Sequence, residues 1–174
     1  IYISRSKLRH YPKIAGEEYL ETYFKKCGIR IVYPEQISVN EQIKIYNSVR
    51  CIIMIDGSAY HTFQLFGRAM GTIIIIKRRN FRSKSNWYEN FLYPRCNSLK
   101  IISEKPKVYV GTGDTHQQRN GSTLIVYTIK LLEEILDVVK SIGDTIPDVK
   151  ISKDEYYKQV RFDYMKYIEK MRIK

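Results

Sequence analysis

Two short runs constrain this chain more than anything else in it: Cys51-Ile52-Ile53-Met54-Ile55 and Thr72-Ile73-Ile74-Ile75-Ile76. Neither alternates polar with apolar side chains. A strand wetted on one face alternates, whereas a parallel strand covered on both faces reads as a continuous β-branched run. Both runs are therefore expected at the centre of a parallel sheet with helices above and below.

The flanking segments fit that frame. Residues 1–4 and 29–33 read as strands, with a polar loop over 5–16 after the first. Residues 17–27 carry Tyr19, Leu20, Tyr23, Phe24 and Cys27 at helical spacing, stopped by Gly28. Ser38-Val39-Asn40-Glu41 is a capping box, opening a helix to about residue 48 with Ile43 and Tyr46 inward. Asp56-Gly57-Ser58 turns into a further helix, expected to end near Met70 before Gly71. Such alternation predicts an α/β fold with a doubly wound, mainly parallel, Rossmann-like sheet.

Further on, a short helix is expected around residues 87–92, with short strands at 99–102 and 108–110. A polar loop covers 111–121. A long helix is expected over 122–142, and a second capping box, Ser152-Lys153-Asp154-Glu155, opens a terminal amphipathic helix. The expected division is a domain of residues 1–149 and a helix in 150–174 that packs on it or on a missing N-terminal domain. The chain opens on Ile1 within an apparent strand, which we read as a piece of something longer.

Charge narrows the partners. The formal net charge is +12, and residues 77–107 hold nine basic against two acidic side chains, a net of +7. A solvated basic face, an anionic ligand or an anionic membrane surface all suit it. Phe81, Trp87, Tyr88 and Tyr93 lie within this stretch and would serve a nucleic-acid module, but no nucleic-acid motif accompanies them, which argues against that partner. Cys27, Cys51 and Cys96 show no metal-ligand spacing and fit free thiols in a reducing compartment. With no apolar run of about 18 residues and no signal peptide, we expect a cytoplasmic protein, peripheral to a membrane if the basic stretch docks there.

Ligands of doubly wound sheets bind beyond the carboxyl ends of the strands. Two loops qualify. After the first strand, residues 4–10 place Arg5, Lys7, Arg9 and His10 among hydroxyls; a fixed Arg there can clamp a phosphate through two hydrogen bonds, although a solvated basic loop has the same composition. After the third strand, Gly57 permits close approach, and Ser58 and Ala59 begin a helix whose amides and dipole favour phosphate. Asp56 would cap that helix or bond a sugar hydroxyl. His61 and His116 are candidate bases without a neighbouring partner in sequence. An ordinary tight βα turn would look much the same as this second loop. No Asp-x-Asp, no P-loop, no GxGxxG and no GxSxG is present, so no metal site, P-loop enzyme or hydrolase elbow is expected.

In order and spacing, residues 1–76 resemble glycosyltransferase family 61. The carriers are Ser4-Arg5 after a strand; Lys13-Ile14-Ala15-Gly16-Glu17, which keeps the family's Glu but replaces its Asn; Pro34-Glu35; Ser38-Val39-Asn40-Glu41-Gln42; Asp56-Gly57-Ser58-Ala59, where the family has a His-Gly-Ala-type turn; and Gly71 before an apolar strand. The resemblance implies the second half of a two-Rossmann-domain (GT-B-type) enzyme. It would be inverting and metal-independent, with a nucleotide sugar as donor and no cofactor, and would transfer to a glycan or lipid-linked acceptor. By the same carry-over, Arg5 contacts the donor phosphates and the Gly57–Ser58 turn lines the donor site. Lys7, Asp56, Ala59 and His61 stand nearby, and Glu17 and Glu35 support the loops. The catalytic residue is left unassigned. The Asp at position 56 also keeps a non-catalytic, transferase-like scaffold open.

Overall fold

The computed structural model describes residues 1–8, 13–65, 67, 70–77, 87–102, 107–110, 123–143 and 145–172. Five strands form one parallel sheet: β1 (Tyr2–Ile3), β3 (Ile31–Val32), β4 (Cys51–Ile55), β5 (Met70–Ile76) and β6 (Cys96–Ile102), in the spatial order β3-β1-β4-β5-β6. All four pairings are parallel. A smaller sheet sets β8 (Thr123–Val126) between β2 (Lys13–Ala15), parallel to it, and β7 (Lys107–Val110), antiparallel.

The apolar runs are central for the reason their composition implies. Successive strand residues point to opposite faces. Ile53, Ile55, Ile74 and Ile76 enter one core with α1 (Glu17–Lys26) and α4 (Ile129–Ser141), while Ile52, Met54, Ile73 and Ile75 enter the other with α2 (Val39–Asn47). A polar residue at any of these eight positions would therefore sit in a dry core. The family-like Gly71 is accounted for here: a Cβ on it would collide with the backbone carbonyl of Arg50, which lies alongside and accepts from Thr72 N (2.8 Å) just before β4.

The capping box at Ser38 forms in full, with Ser38 N donating to Glu41 Oε2 (2.8 Å) and Glu41 N to Ser38 Oγ (3.2 Å). The second forms by half. Glu155 N donates to Ser152 Oγ (3.3 Å), but Ser152 N turns to the Tyr19 hydroxyl (2.8 Å), tying the start of α5 (Lys153–Arg172) to α1. A short helix α3 (Trp87–Leu92) stands where the pattern places it.

Three sequence expectations are corrected. The segment after Asp56 is a 3₁₀ helix over Ser58–Leu65, not an α-helix reaching residue 70, and β5 begins at Met70. Its two buried side chains, Tyr60 and Phe63, are three apart, which suits a three-residue turn and leaves no α-helical stripe. The expected helix over 122–142 is a strand followed by a helix. Thr123-Leu124-Ile125-Val126 pairs on both edges, and Thr128 Oγ1 then accepts from Leu131 N (3.3 Å) to cap α4. Residues 13–15, expected within a polar loop, form β2, the partner that makes β8 a strand.

The helix α5 packs on β2, β8 and α1. Tyr156 and Tyr167 are buried, the Tyr156 hydroxyl donates to the Tyr127 carbonyl (2.7 Å), and Asp163 Oδ2 accepts from Gly16 N (2.8 Å). Gly16 has φ +80°, a left-handed conformation that glycine and, next best, asparagine adopt cheaply. The backbone angle alone would admit the family's Asn, but a Cβ here would lie 2.6 Å from Tyr156 Cε2, so the packing of α5 is what calls for Gly.

Candidate donor site at the switch point

Counting only the parallel sheet, the strands run 2-1-3-4-5. That order changes direction between β1 and β4: the chain leaves β1 for one edge and β4 for the other. Ligands of such sheets sit in the crevice this reversal opens. The residues beyond β1 are Ser4 and Arg5, and those beyond β4 are Asp56, Gly57 and Ser58. The two loops singled out in the sequence therefore flank a single crevice.

A cavity of about 270 Å³ lies there, lined by Ile3, Ser4, Arg5 and Leu8 on one wall, Pro34 and Glu35 on another, and Gln42, Ile55, Ser58, Ala59 and Thr62 on the rest. The Arg5 guanidinium folds over Gly57: a Cβ there would lie 2.5 Å from Arg5 Nη1. Arg5 Nε is buried and makes no hydrogen bond. A buried donor on a charged group without a partner is costly, and an anion would satisfy it.

The backbone of Arg5 is held from below. Glu17, at the first turn of α1, accepts from Arg5 N (2.7 Å), the Tyr2 hydroxyl (3.1 Å) and Ser4 Oγ (3.2 Å). One turn on, Glu21 accepts from Ser4 Oγ (2.6 Å), from Ser6 Oγ and from the Tyr33 hydroxyl (2.6 Å). Both carboxyls are buried, at 2% and 6% exposure. Burial raises the Glu17 carboxyl from 4.5 to about 7; the Arg5 amide, the Tyr2 and Ser4 hydroxyls and the Arg5 charge pull the other way without cancelling it. Burial and the adjoining Glu21 push the Tyr33 hydroxyl up to about 12.

Of the sequence-expected residues, Arg5, Ser58, Ala59 and Glu35 line this cavity, Gly57 lies under the Arg5 guanidinium, and Glu17 holds the Arg5 amide from behind. Asp56 is buried at the end of β4, and its amide extends the sheet by donating to Ile76 O (3.0 Å). Lys7 is exposed, its Nζ over the Tyr33 ring at 5.9 Å, and His61 is exposed beside the Tyr60 ring; neither lines the cavity. The α-helix N-terminus expected at Ser58 is replaced by the 3₁₀ segment. Arg9, His10 and His116 lie outside the described residues, as do Arg78, Arg79, Arg82, Lys84 and Lys105 of the basic stretch.

Sequence reasoning missed Gln42 and Thr62 as wall residues, and Glu21 altogether. Gln42 was visible as the last residue of the Ser-x-x-Glu-Gln pattern. Its Nε2 donates to Pro34 O (2.9 Å), and its Oε1 accepts from Thr62 Oγ1 (3.0 Å). Among the described residues, no group of three or more His, Cys, Asp or Glu is placed to hold a metal ion. None of the described helices is long and apolar enough to cross a membrane.

The fold and the crevice are those of an α/β protein with a parallel sheet, and comparison with known proteins adds one match. Residues 1–75, under half of the chain, match the family model Glycosyltransferase 61. The match indicates glycosyl transfer in general, with a sugar donor and an acceptor. No curated protein and no solved structure matches the chain.

Proposed function

We propose that the crevice between β1 and β4 binds the diphosphate of a nucleotide-activated sugar, and that the chain is the donor-binding part of an inverting glycosyltransferase of the two-Rossmann-domain type. The observation that carries this is the Arg5 guanidinium, laid over Gly57 at the switch point with its buried Nε unpartnered. In the reaction so envisaged, an acceptor hydroxyl attacks the anomeric carbon and the bond from that carbon to the phosphate oxygen breaks. The hydroxyl proton passes to a base that this chain's residues do not identify, and the diphosphate leaves with its added charge facing Arg5. A charge-assisted, bidentate contact from a fixed guanidinium stabilises such a leaving group without a metal ion. Among the described residues that line the cavity, Glu35 is the one acid.

The acceptor, a glycan or a lipid-linked sugar, would approach from the open side of the crevice, with the basic stretch near an anionic membrane. The test is calorimetric titration with UDP, GDP, ADP and CMP, with and without EDTA. We expect one nucleotide to bind with micromolar to millimolar affinity, unaffected by EDTA. Silence with every nucleotide would remove the reading, and strict dependence on a divalent ion would remove the metal-free mechanism.

A further inference from the structure

The cavity walls come from separate segments: the end of β1, the turn after β3, the middle of α2 and the 3₁₀ helix after β4. Short β1 and β3, at two residues each, pair in parallel, and Ser4 N donates to Val32 O (2.9 Å) where they end. The walls themselves, from Arg5 and from Tyr33 onward, lie beyond that ladder, where side chains must hold their spacing.

Glu21 is placed to do so. One of its oxygens takes the hydroxyls of Ser4 and Ser6, on the β1 side. The other takes the hydroxyl of Tyr33, the residue immediately before the Pro34 and Glu35 wall. A rigid carboxylate thus spans the two walls from beneath. On the far side, Gln42 repeats the arrangement, joining Pro34 O to Thr62. Ser4–Glu21–Tyr33 and Pro34–Gln42–Thr62 together form a belt of side-chain bonds around the cavity that Arg5 overhangs.

We propose that Glu21 is a positioning residue for the donor cavity: it fixes the separation of the Arg5 wall from the Pro34–Glu35 wall and touches no ligand itself. The claim rests on the donor-site reading only where it concerns affinity. Its geometric content stands apart, since Glu21 lies outside the cavity lining and reaches it through Ser4 and Tyr33 alone. Burial of a carboxyl at 6% exposure is expensive. Three hydroxyl donors from two segments are what compensate it, so the carboxyl and the wall spacing depend on each other.

The test uses Tyr33→Phe, which removes one hydroxyl from a half-buried ring and should fold, together with Glu21→Gln and, as a control, the exposed Thr22→Ala. Two readouts are taken. Amide hydrogen exchange follows Ser6 on one wall and Gln36 and Ile37 on the other, whose amides bond locally to Ser4 Oγ, Tyr33 O and Pro34 O. Titration with UDP, GDP and inorganic pyrophosphate follows affinity. Tyr33→Phe should speed exchange on both walls, although the mutation lies on one. It should also weaken whichever ligand the parent binds by about fivefold or more, the low end of coupling between linked sites. The melting temperature should move little, and Thr22→Ala should change neither readout. Faster exchange confined to Gln36 and Ile37, with Ser6 unchanged, would overturn the proposal even if the parent binds nucleotide. If the parent binds none of the three ligands, the donor reading fails while the exchange data still decide the role of Glu21. Unchanged affinity in both variants of a nucleotide-binding parent would equally overturn it.

Discussion

Replacing Glu17 by Gln should make the protein's stability less sensitive to pH, and the size of the change follows from where the carboxyl sits. The glutamine keeps the side-chain oxygen that accepts from the Arg5 amide and the Tyr2 hydroxyl, but it cannot ionise. In the folded chain, burial holds the Glu17 carboxyl at about 7, against an ordinary 4.5. The folded state therefore binds more protons than the unfolded state between these values. Stability from this group is full below pH ~4.5 and is lost as pH rises through ~7. At about 1.36 kcal/mol per pH unit, the difference caps the loss near ~3 kcal/mol, of which about 2–3 kcal/mol falls between pH 5 and pH 8. Asp163, also raised by burial, tilts both proteins the same way and cancels in the comparison. The assay is urea unfolding of parent and Glu17→Gln at four pH values from 5 to 8. The variant should gain on the parent by about 2–3 kcal/mol across that range, with equal m-values. Parallel stability curves would refute the reasoning and mean that Glu17 is ionised at no cost, through water or a cation the contacts do not reveal.

Three other outcomes are expected. Arg5→Ala should weaken nucleoside-diphosphate binding by roughly 10- to 150-fold at unchanged melting temperature, with Lys7→Ala costing under about threefold because that ammonium lies over Tyr33 and away from the cavity; calorimetry on both variants checks it. Gly71→Ala should cost about 3 kcal/mol or more, since its methyl meets the Arg50 carbonyl and neither backbone has room to yield; thermal unfolding would show a large drop, and a shift within error would mean that β4 and β5 are further apart than described. Tyr156→Phe should cost about 1–3 kcal/mol, because it leaves the buried Tyr127 carbonyl without that donor; denaturant midpoints measure it.

Some elements were legible in the sequence because their cause is local. The capping box at Ser38 needs only its own four residues. The runs at Cys51 and Thr72 are buried on both faces, and that leaves a direct mark on composition. Elements that depend on distant partners were not legible. Thr123–Val126 carries strand-like residues, but whether they extend or coil is decided by Lys13–Ala15, more than a hundred residues earlier. The 3₁₀ helix after Gly57 is set by two aromatic side chains that each find a pocket. Arg5 was legible as a candidate because a cation directly after a strand has its backbone held by the sheet. Glu21 was not, since as one of several acids on α1 it looks solvated; only the fold reveals that Ser4, Ser6 and Tyr33 converge on it.

The structure also sorts the family-like pattern into architecture and chemistry. Ser38 and Glu41 cap α2 in the right place for Gln42 to reach Pro34, eight residues earlier, so the two motifs are one device. Gly16 supplies a left-handed turn that brings Glu17 under Arg5, and Gly71 lets β5 pass the chain entering β4. Each of these residues acts on backbone geometry and would be needed whatever the ligand. What remains once they are subtracted is small: the Arg5 guanidinium laid over Gly57, the cavity beside it and the hydroxyl of Ser58. The departure at Asp56 falls at the edge of that remainder. Its amide still closes the sheet against Ile76, so the turn keeps its path despite the change of side chain. The site's shape therefore does not depend on a histidine at position 56. Any chemical consequence of Asp there must come through its carboxyl, buried beside the Gly57–Ser58 turn. Asp56→Asn separates the two contributions: it keeps the shape and removes the charge, so tighter nucleotide binding in that variant would mark Asp56 as a brake on affinity, whereas weaker binding would mark it as an acceptor for a ligand hydroxyl.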